Sequence, residues 1–321
     1  MSYTYGLVGV DNVQSLTLSN IITDNLVKFI DYGFVDKGGF VNVEIPSSGM
    51  YGGDKHKLRL VDDTAYTSGR TWESFRKNWV YESGLDRSTA PLQISGIYKG
   101  SQFLPYSYNA GSGYYVGSGY RLDYTNGRVI FNSSIPATSV VSMEYSYKWL
   151  HVEKAEGVPF FRQIQQRSFR LDENYFSSSG NWAQIGPTRV QLPAAFVESP
   201  IRVTYKPYQL GGGQWANTDV TIHVIAENFA SCTDILNILS YQNDRNIILY
   251  DSNGVYNSGD FALNYRGDLV DNSKDYKYLV DNYHFGQCRM YDATVGNPIE
   301  LNYSLYMGTV TFSAEIPLGR I

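Results

Sequence analysis

Apolar residues recur along this chain in two rhythms, and the rhythm changes near residue 38. In LTLSNIITDNLVKFIDYG, Leu18, Ile21, Ile22, Leu26, Phe29 and Ile30 fall at three- and four-residue steps, the spacing that lines one side of an α-helix. Thr17 or Ser19 can cap its first turn and Gly33 can end it, and the stripe is expected to pack on a sheet. From about Gly38 an alternation of period two takes over. GGFVNVEIP, KLRLVDD with Leu58 and Leu60 on one face, and APLQISGIYKGSQFLP read as strands. GSGYYVGSGYRLDYTNGRVIF then sets Asn126-Gly127 between two apolar runs, which predicts a hairpin closed by a type I′ turn. Beyond it, Val141, Met143, Tyr145, Tyr147 and Trp149 alternate with Ser142, Glu144, Ser146 and Lys148, the mark of a strand with one buried and one wet face. Pro136 lies in the connecting turn, where it removes no ladder bond.

Between Glu153 and Gly186 neither rhythm holds, so a boundary or crossing segment is expected near residues 150–160, dividing the chain into 1–152 and 153–321. In the second part, TRVQLPAAFVE predicts a strand running into a proline-bounded loop, and GGGQWANTDVTIHVIAEN a strand with Val220, Ile222, Val224 and Ala226 on one face. A helix is expected at once after it, with Ser231 and Asp234 as a near capping box and Ile235, Leu236, Ile238 and Leu239 as its apolar side. NIILYD predicts a short buried strand. PIELNYSLYMGTVTFSAEIPL predicts a final pair or one bent strand with Leu301, Tyr303, Leu305, Val310, Phe312 and Ala314 inward. The expected fold class is α+β and strand-rich: an N-terminal helix with an antiparallel β domain, then an α+β domain with one helix packed on a mixed sheet.

Composition agrees with a water-folded β-rich chain. Of 321 residues, 43% are hydrophobic and 15% aromatic, too apolar for disorder, while no apolar run is long enough to span a membrane. The outlier is tyrosine, with 28 copies, a residue suited both to half-buried strands and to contact surfaces. A net charge of −5 with no basic run argues against a nucleic-acid backbone as main partner. Cys232 and Cys288 stand apart without a Cys-x-x-Cys or Cys/His cluster, so two buried free thiols are expected, in keeping with a reducing cytosol. The N-terminus lacks a basic stretch followed by an apolar one, so no standard signal peptide is expected and the sequons at Asn132 and Asn302 carry little weight.

Candidate chemistry is sparse. His223 is expected on a sheet surface without a local Asp or Ser partner, His56 in a loop between lysines, and His151 and His284 show no ligand spacing. LGGGQW at 210–215 lacks the Gly-Lys-Ser/Thr of a phosphate loop, and GSGYYVGSGY lacks the setting of a dinucleotide fingerprint. Asp62-Asp63 and Asp172-Glu173 invite a calcium or glycoside-hydrolysis reading, but the first pair sits in LVDDTAYTSG, where adjacent carboxylates mark a solvated turn. Trp72, Phe75, Trp79 and Tyr81 in RTWESFRKNWVYESG can stack on a sugar or base, or form the packed side of a short helix; the latter is favoured. No cofactor, metal site or catalytic residue is expected.

LRLVDDTAYTSGRTWESFRKNWVYESG followed by YTNGRVIFNSSIPATSVVSMEYSYKW, within 58–149, resembles the N-terminal part of virion structural proteins of tailed bacteriophages. The run VQLPAAFVE…YQLGGGQWANTDVTIHVIAENFASCTDILNILSYQNDRNIILYD resembles tail-terminator or tail-completion proteins of the phage neck. The resemblance implies a non-enzymatic subunit, made in the host cytoplasm and built into the virion. It implies a ring of six copies joining the tail tube or sheath to the head connector, touching other neck and tail proteins, with DNA passing through and no membrane or sequence-specific nucleic-acid contact. A baseplate or tube-associated protein is the alternative, and a carbohydrate-binding tail component, using Trp72, Tyr114 and Tyr115, a third. The tyrosine-rich loop 106–120 is the expected contact surface, with Tyr106, Tyr108, Tyr114, Tyr115, Tyr120 and Trp215 as interface residues.

Overall fold

The computed structural model describes residues 18–48, 53–61, 65–82, 85, 90–157, 191–200, 202–207, 213–264, 266–270, 275–302 and 305–318. The fold is α+β and strand-rich, as the patterning predicts. Helix α1 spans Leu18–Asp36 and runs straight through Gly33, so that glycine is no stop; the chain turns at Gly38, whose φ of 99° is in the left-handed region. Strand β1 (Phe40–Val43) follows and pairs antiparallel with β10 (Tyr145–Lys148) in a two-stranded sheet of its own.

The first unit is an eight-stranded sheet in the order β6-β5-β4-β9-β2-β3-β8-β7. Its members are β2 (Lys57–Leu60), β3 (Thr71–Glu73), β4 (Gly96–Lys99), β5 (Gln102–Asn109), β6 (Tyr114–Gly117), β7 (Tyr120–Asp123), β8 (Arg128–Phe131) and β9 (Val141–Ser142). The two ends of this sheet, β6 and β7, are successive in sequence and separated by Ser118-Gly119 alone, so the sheet has to curl until its ends meet. The interior of the curl holds Trp72, Phe75, Trp79, Ile97, Leu122, Val129, Val141, Met143 and Tyr145, all buried.

Three local expectations change here. The segment 141–149 is interrupted into β9 and β10, and although Val141, Met143, Tyr145 and Tyr147 are buried as predicted, Ser146 and Lys148 are buried as well because β10 is covered on both faces. The β7–β8 loop has four residues, 124–127, closing on the Asp123–Arg128 pair, with Gly127 alone of Asn126-Gly127 at positive φ (63°); it is not a type I′ turn. Residues 70–82 of RTWESFRKNWVYESG form no helix: β3 is followed by a bend and an isolated bridge from Trp79 to Tyr147, and Ser83 and Gly84 lie outside the described residues. The burial of Trp72, Phe75 and Trp79 is as expected, because a chain that reverses between two strands can bring every third or fourth residue inward just as a helix does.

The second unit is a mixed sheet with the order β11-β12-β14-β18-β16-β15, comprising β11 (His151–Lys154), β12 (Ala194–Glu198), β14 (Gln214–Ala226), β15 (Arg245–Tyr250), β16 (His284–Val295) and β18 (Leu305–Leu318). Two short strands lie off this path: β13 (Thr204–Pro207) on β14 and β17 (Ile299–Asn302) on β18. Val220, Ile222, Val224 and Ala226 do face the core, meeting Val310, Phe312 and Ala314 of β18. Leu305, however, belongs to the opposite face with Phe196 and Ile225, so β18 feeds two cores rather than one; Tyr303 lies outside the described residues.

Helix α2 (Phe229–Ser240) starts two residues before Ser231. Its cap is Asn228, whose side chain accepts from the Ser231 N–H, and its buried stripe is Cys232, Ile235, Leu236 and Leu239, with Ile238 exposed. Two helices escape the periodicity: α3 (Ser252–Ser258), capped by Asp251, and α4 (Tyr276–Asn282), capped by Asp275. Helix α1 precedes the first unit in sequence, but its stripe of Ile21, Ile22, Leu26 and Ile30 is buried against Ala195, Val197, Ile222 and Val224 of the second sheet. The curled sheet fills its own interior, so the open apolar face available to α1 is that of the other unit. The expected boundary at 152/153 falls inside β11, and residues 158–190 lie outside the described residues.

Candidate interaction surface

The six expected interface residues divide into two groups. Tyr106 and Tyr120 are buried (4% and 3% exposed) and form an aromatic cluster inside the curled sheet with Tyr115 and Tyr124. The Tyr106 ring stacks on Tyr115 at 5.7 Å, and the Tyr120 hydroxyl donates to the Leu104 carbonyl at 3.0 Å. Burial pushes the Tyr106, Tyr120 and Tyr124 hydroxyls up from their ordinary pKa. Tyr106 and Tyr120 are therefore core residues and offer no contact surface; a period-two strand in a curled sheet sends alternate tyrosines inward. Tyr108 is exposed and meets Tyr115 edge-on at 5.4 Å, Tyr114 and Tyr115 are half-buried on β6, and Trp215 is half-buried on β14. Of the aromatics considered for a sugar, Trp72 is buried.

The histidines sit in structural settings. His223 has a partner that sequence did not show: Glu198, beside it on β12, whose Oε2 lies 2.9 Å from Nε2. His56 lies in the turn before β2, as expected, but is buried; its Nδ1 accepts from the Ser47 N–H at 3.1 Å, and burial lowers its pKa. His151 is buried against Asn78 and Glu153, and His284 is exposed. Both cysteines are free and buried, and burial pushes the Cys232 thiol up to about 11 and the Cys288 thiol up to about 12, away from the reactive thiolate. Asp62-Asp63, Asp172-Glu173 and most of the 210–215 loop lie outside the described residues. Among the described residues no helix is long and apolar enough to cross a membrane.

Three features that sequence reasoning missed lie at the junction of the two units or on the surface. The first is a charge cluster at the junction of the two units: Lys148 Nζ on β10 lies 2.6 Å from Asp31 of α1 and also pairs with Glu82, with its ammonium 4.8 Å from the Tyr81 ring. Burial disfavours the Lys148 ammonium, but Asp31 and Glu82 outweigh it and hold its pKa well above the ordinary lysine value. The second is a groove of about 630 Å3 between α1, α2 and the start of α4, lined by Phe29, Phe34, Trp149, Ile238 and Tyr276 with Lys37, Arg245 and Lys277 at its rim.

The third is a pair of strand edges. Among the described residues β13 pairs with β14 alone and β17 with β18 alone. Tyr205 on β13 is 54% exposed and Ile299 on β17 is 53% exposed. Each strand adjoins a proline, Pro207 ending β13 and Pro298 preceding β17, the residue expected on an edge because it lacks a donor. The only signal in the sequence was this proline placement.

No protein-family model matches the chain, and no curated protein or solved structure matches it significantly.

Proposed function

We propose that this chain is a structural subunit of a tailed-phage virion, a neck or tail-terminator protein that closes into a ring between the tail tube or sheath and the head connector. The observation that carries the reading is the second unit: a sheet crossed by α1 and α2 on one face, with the strand–helix–strand run β14, α2, β15 leading from its middle to its edge and, among the described residues, strands with one open side on opposite sides. An edge that leaves N–H and C=O groups unpaired is a docking template, and natural sheets that need no partner cover or blunt it. Distinct edges on opposite sides of one subunit give head-to-tail contacts, and such contacts close a ring when the rotation from copy to copy closes. The mechanism is stereochemical: closure ends tube growth, the ring opening is the path of DNA, and the outer faces meet neighbouring neck and tail proteins.

The test is localisation in particles. Cryo-electron microscopy of virions carrying a tagged version of this chain should show it as a ring at the head–tail junction. Density confined to the distal tip, or absence from particles, would overturn the terminator reading.

A further inference from the structure

Among the described residues β11, β13, β15 and β17 each pair on one side alone, and of these β13 and β17 sit at diagonal corners of the second sheet. Strand β18 pairs with β14 along its whole length, from Gln214 to Ala226, so both β12 and β13 must lie on the other side of β14. There β12 covers 221–225 and β13 covers 214–217. On the far side of β18, β16 covers residues 310–315 and β17 covers 305–307. Four strand positions in the order β13, β14, β18, β17 thus run across the sheet, with the outer two at opposite ends.

Their directions fit. Strand β13 is antiparallel to β14, β14 to β18, and β18 to β17, so β13 and β17 themselves run in opposite directions. If a second copy is moved across the sheet without being turned over, its β13 arrives beside the first copy's β17 as an antiparallel neighbour, the better-bonded of the two ladder types. Each strand has four residues, and α1 and α2 of both copies stay on the same face. At about 4.8 Å per strand and 3.4 Å per residue, the displacement is about 19 Å across the strands and about 36 Å along them.

Charge fits as well. Residues 200–207 carry Arg202 and Lys206 and no acid, whereas 291–302 carry Asp292 and Glu300 and no base; all four side chains are exposed. Copies meeting like edge to like edge would face their own charge, while β13 against β17 sets basic against acidic.

We infer that the β13 edge of one copy docks on the β17 edge of the next, extending the second sheet from subunit to subunit, and that this is the ring contact. The inference rests on the ring reading above. Pro207 and Pro298 limit the added ladder to four residues.

The test uses two full-length versions, Lys206→Cys and Ile299→Cys. Lys206 stands beside Trp215 and Ile299 beside Met307, on the face turned away from α1 and α2, and the native Cys232 and Cys288 are buried. Mixed and oxidised with copper–phenanthroline at high protein concentration, the two versions should cross-link to each other and neither should cross-link to itself. Self-linking of one version alone, or no linking in the mixture, overturns the inference. The chain at the particle neck with no cross-link would sink this contact and leave the virion reading standing, whereas cross-linked rings from a chain missing in particles would do the reverse.

Discussion

At the scale of single residues, much of the order comes from side chains that complete backbone pairing. Asn25, fully buried on α1, accepts from the Tyr250 N–H at 2.9 Å and donates to the Tyr250 and Ile21 carbonyls at 3.0 and 2.9 Å. One amide thus stands in for a neighbouring strand at the end of β15. Replacing Asn25 with Ala strands a buried donor and acceptor, and the expected loss is about 2–4 kcal/mol, read as a lower urea midpoint at unchanged slope. His56 sets a pH dependence. Burial lowers its folded pKa, against the opposing pull of Asp54 and with help from Lys57, while the unfolded chain protonates near the ordinary value of about 6.5. The unfolded state therefore binds the extra proton first. Stability from neutral His56 is intact above about pH 6.5 and is lost as the pH falls toward the folded pKa. Urea midpoints measured between about pH 8 and pH 5 should fall with acid, and His56→Gln should flatten that part of the curve; an equal slope in both proteins would show that another group governs it.

At the scale of elements, legibility followed periodicity and stopped where the chain used it for something else. Helix α1 and strand β14 could be read directly because each keeps one rhythm for more than ten residues and buries a single stripe. Helices α3 and α4 have seven residues each, too few for a stripe, and their signal lay in the capping acids Asp251 and Asp275. The β7–β8 hairpin shows the same limit. The pair Asn126-Gly127 announces a turn, but turn type depends on what the loop packs against, and here the Gly127 carbonyl accepts from the Ser74 N–H at 2.9 Å. A Cβ at Gly127 would stand 2.5 Å from the Arg76 carbonyl oxygen, at a φ of 63°. Gly127→Ala is expected to cost more than about 2 kcal/mol from backbone strain and clash together. Asn126→Ala should cost under about 1 kcal/mol, since it keeps the backbone bond to Asp123 and loses only the exposed side chain's bond to half-buried Asp123. Thermal denaturation of the two variants separates this loop from a type I′ turn, in which both positions need positive φ and both changes would hurt alike. The edge strands β13 and β17 were missed for a related reason: which edge stays open is fixed by the order of strands across the sheet, which pairs residues far apart in sequence.

At the scale of the molecule, the two units are joined by α1, which grows from one end of β1 and lies on the other unit's sheet, and by β10, which passes directly into β11. Lys148 stands where these crossings meet, held between Asp31 of α1 and Glu82 of the first unit. A buried ion cluster of this kind adds little net stability compared with an apolar replacement, but breaking it is expensive because the remaining charges stay desolvated. Lys148→Met should therefore cost about 3–5 kcal/mol, because Asp31 and Glu82 lose their shared cation and Lys28 is left to offset Asp31. Changing all three, with Asp31→Leu and Glu82→Met added, should recover most of it. Calorimetry carries a sharper outcome than the size of the loss. If the cluster couples the units, Lys148→Met splits a single unfolding transition into two, the triple variant merges them again, and the edge-to-edge cross-link between copies, which involves the second unit alone, survives in both. A single transition lowered in the Lys148→Met protein and not recovered in the triple variant would mean that α1 packing, and not this ion cluster, holds the two units as one body.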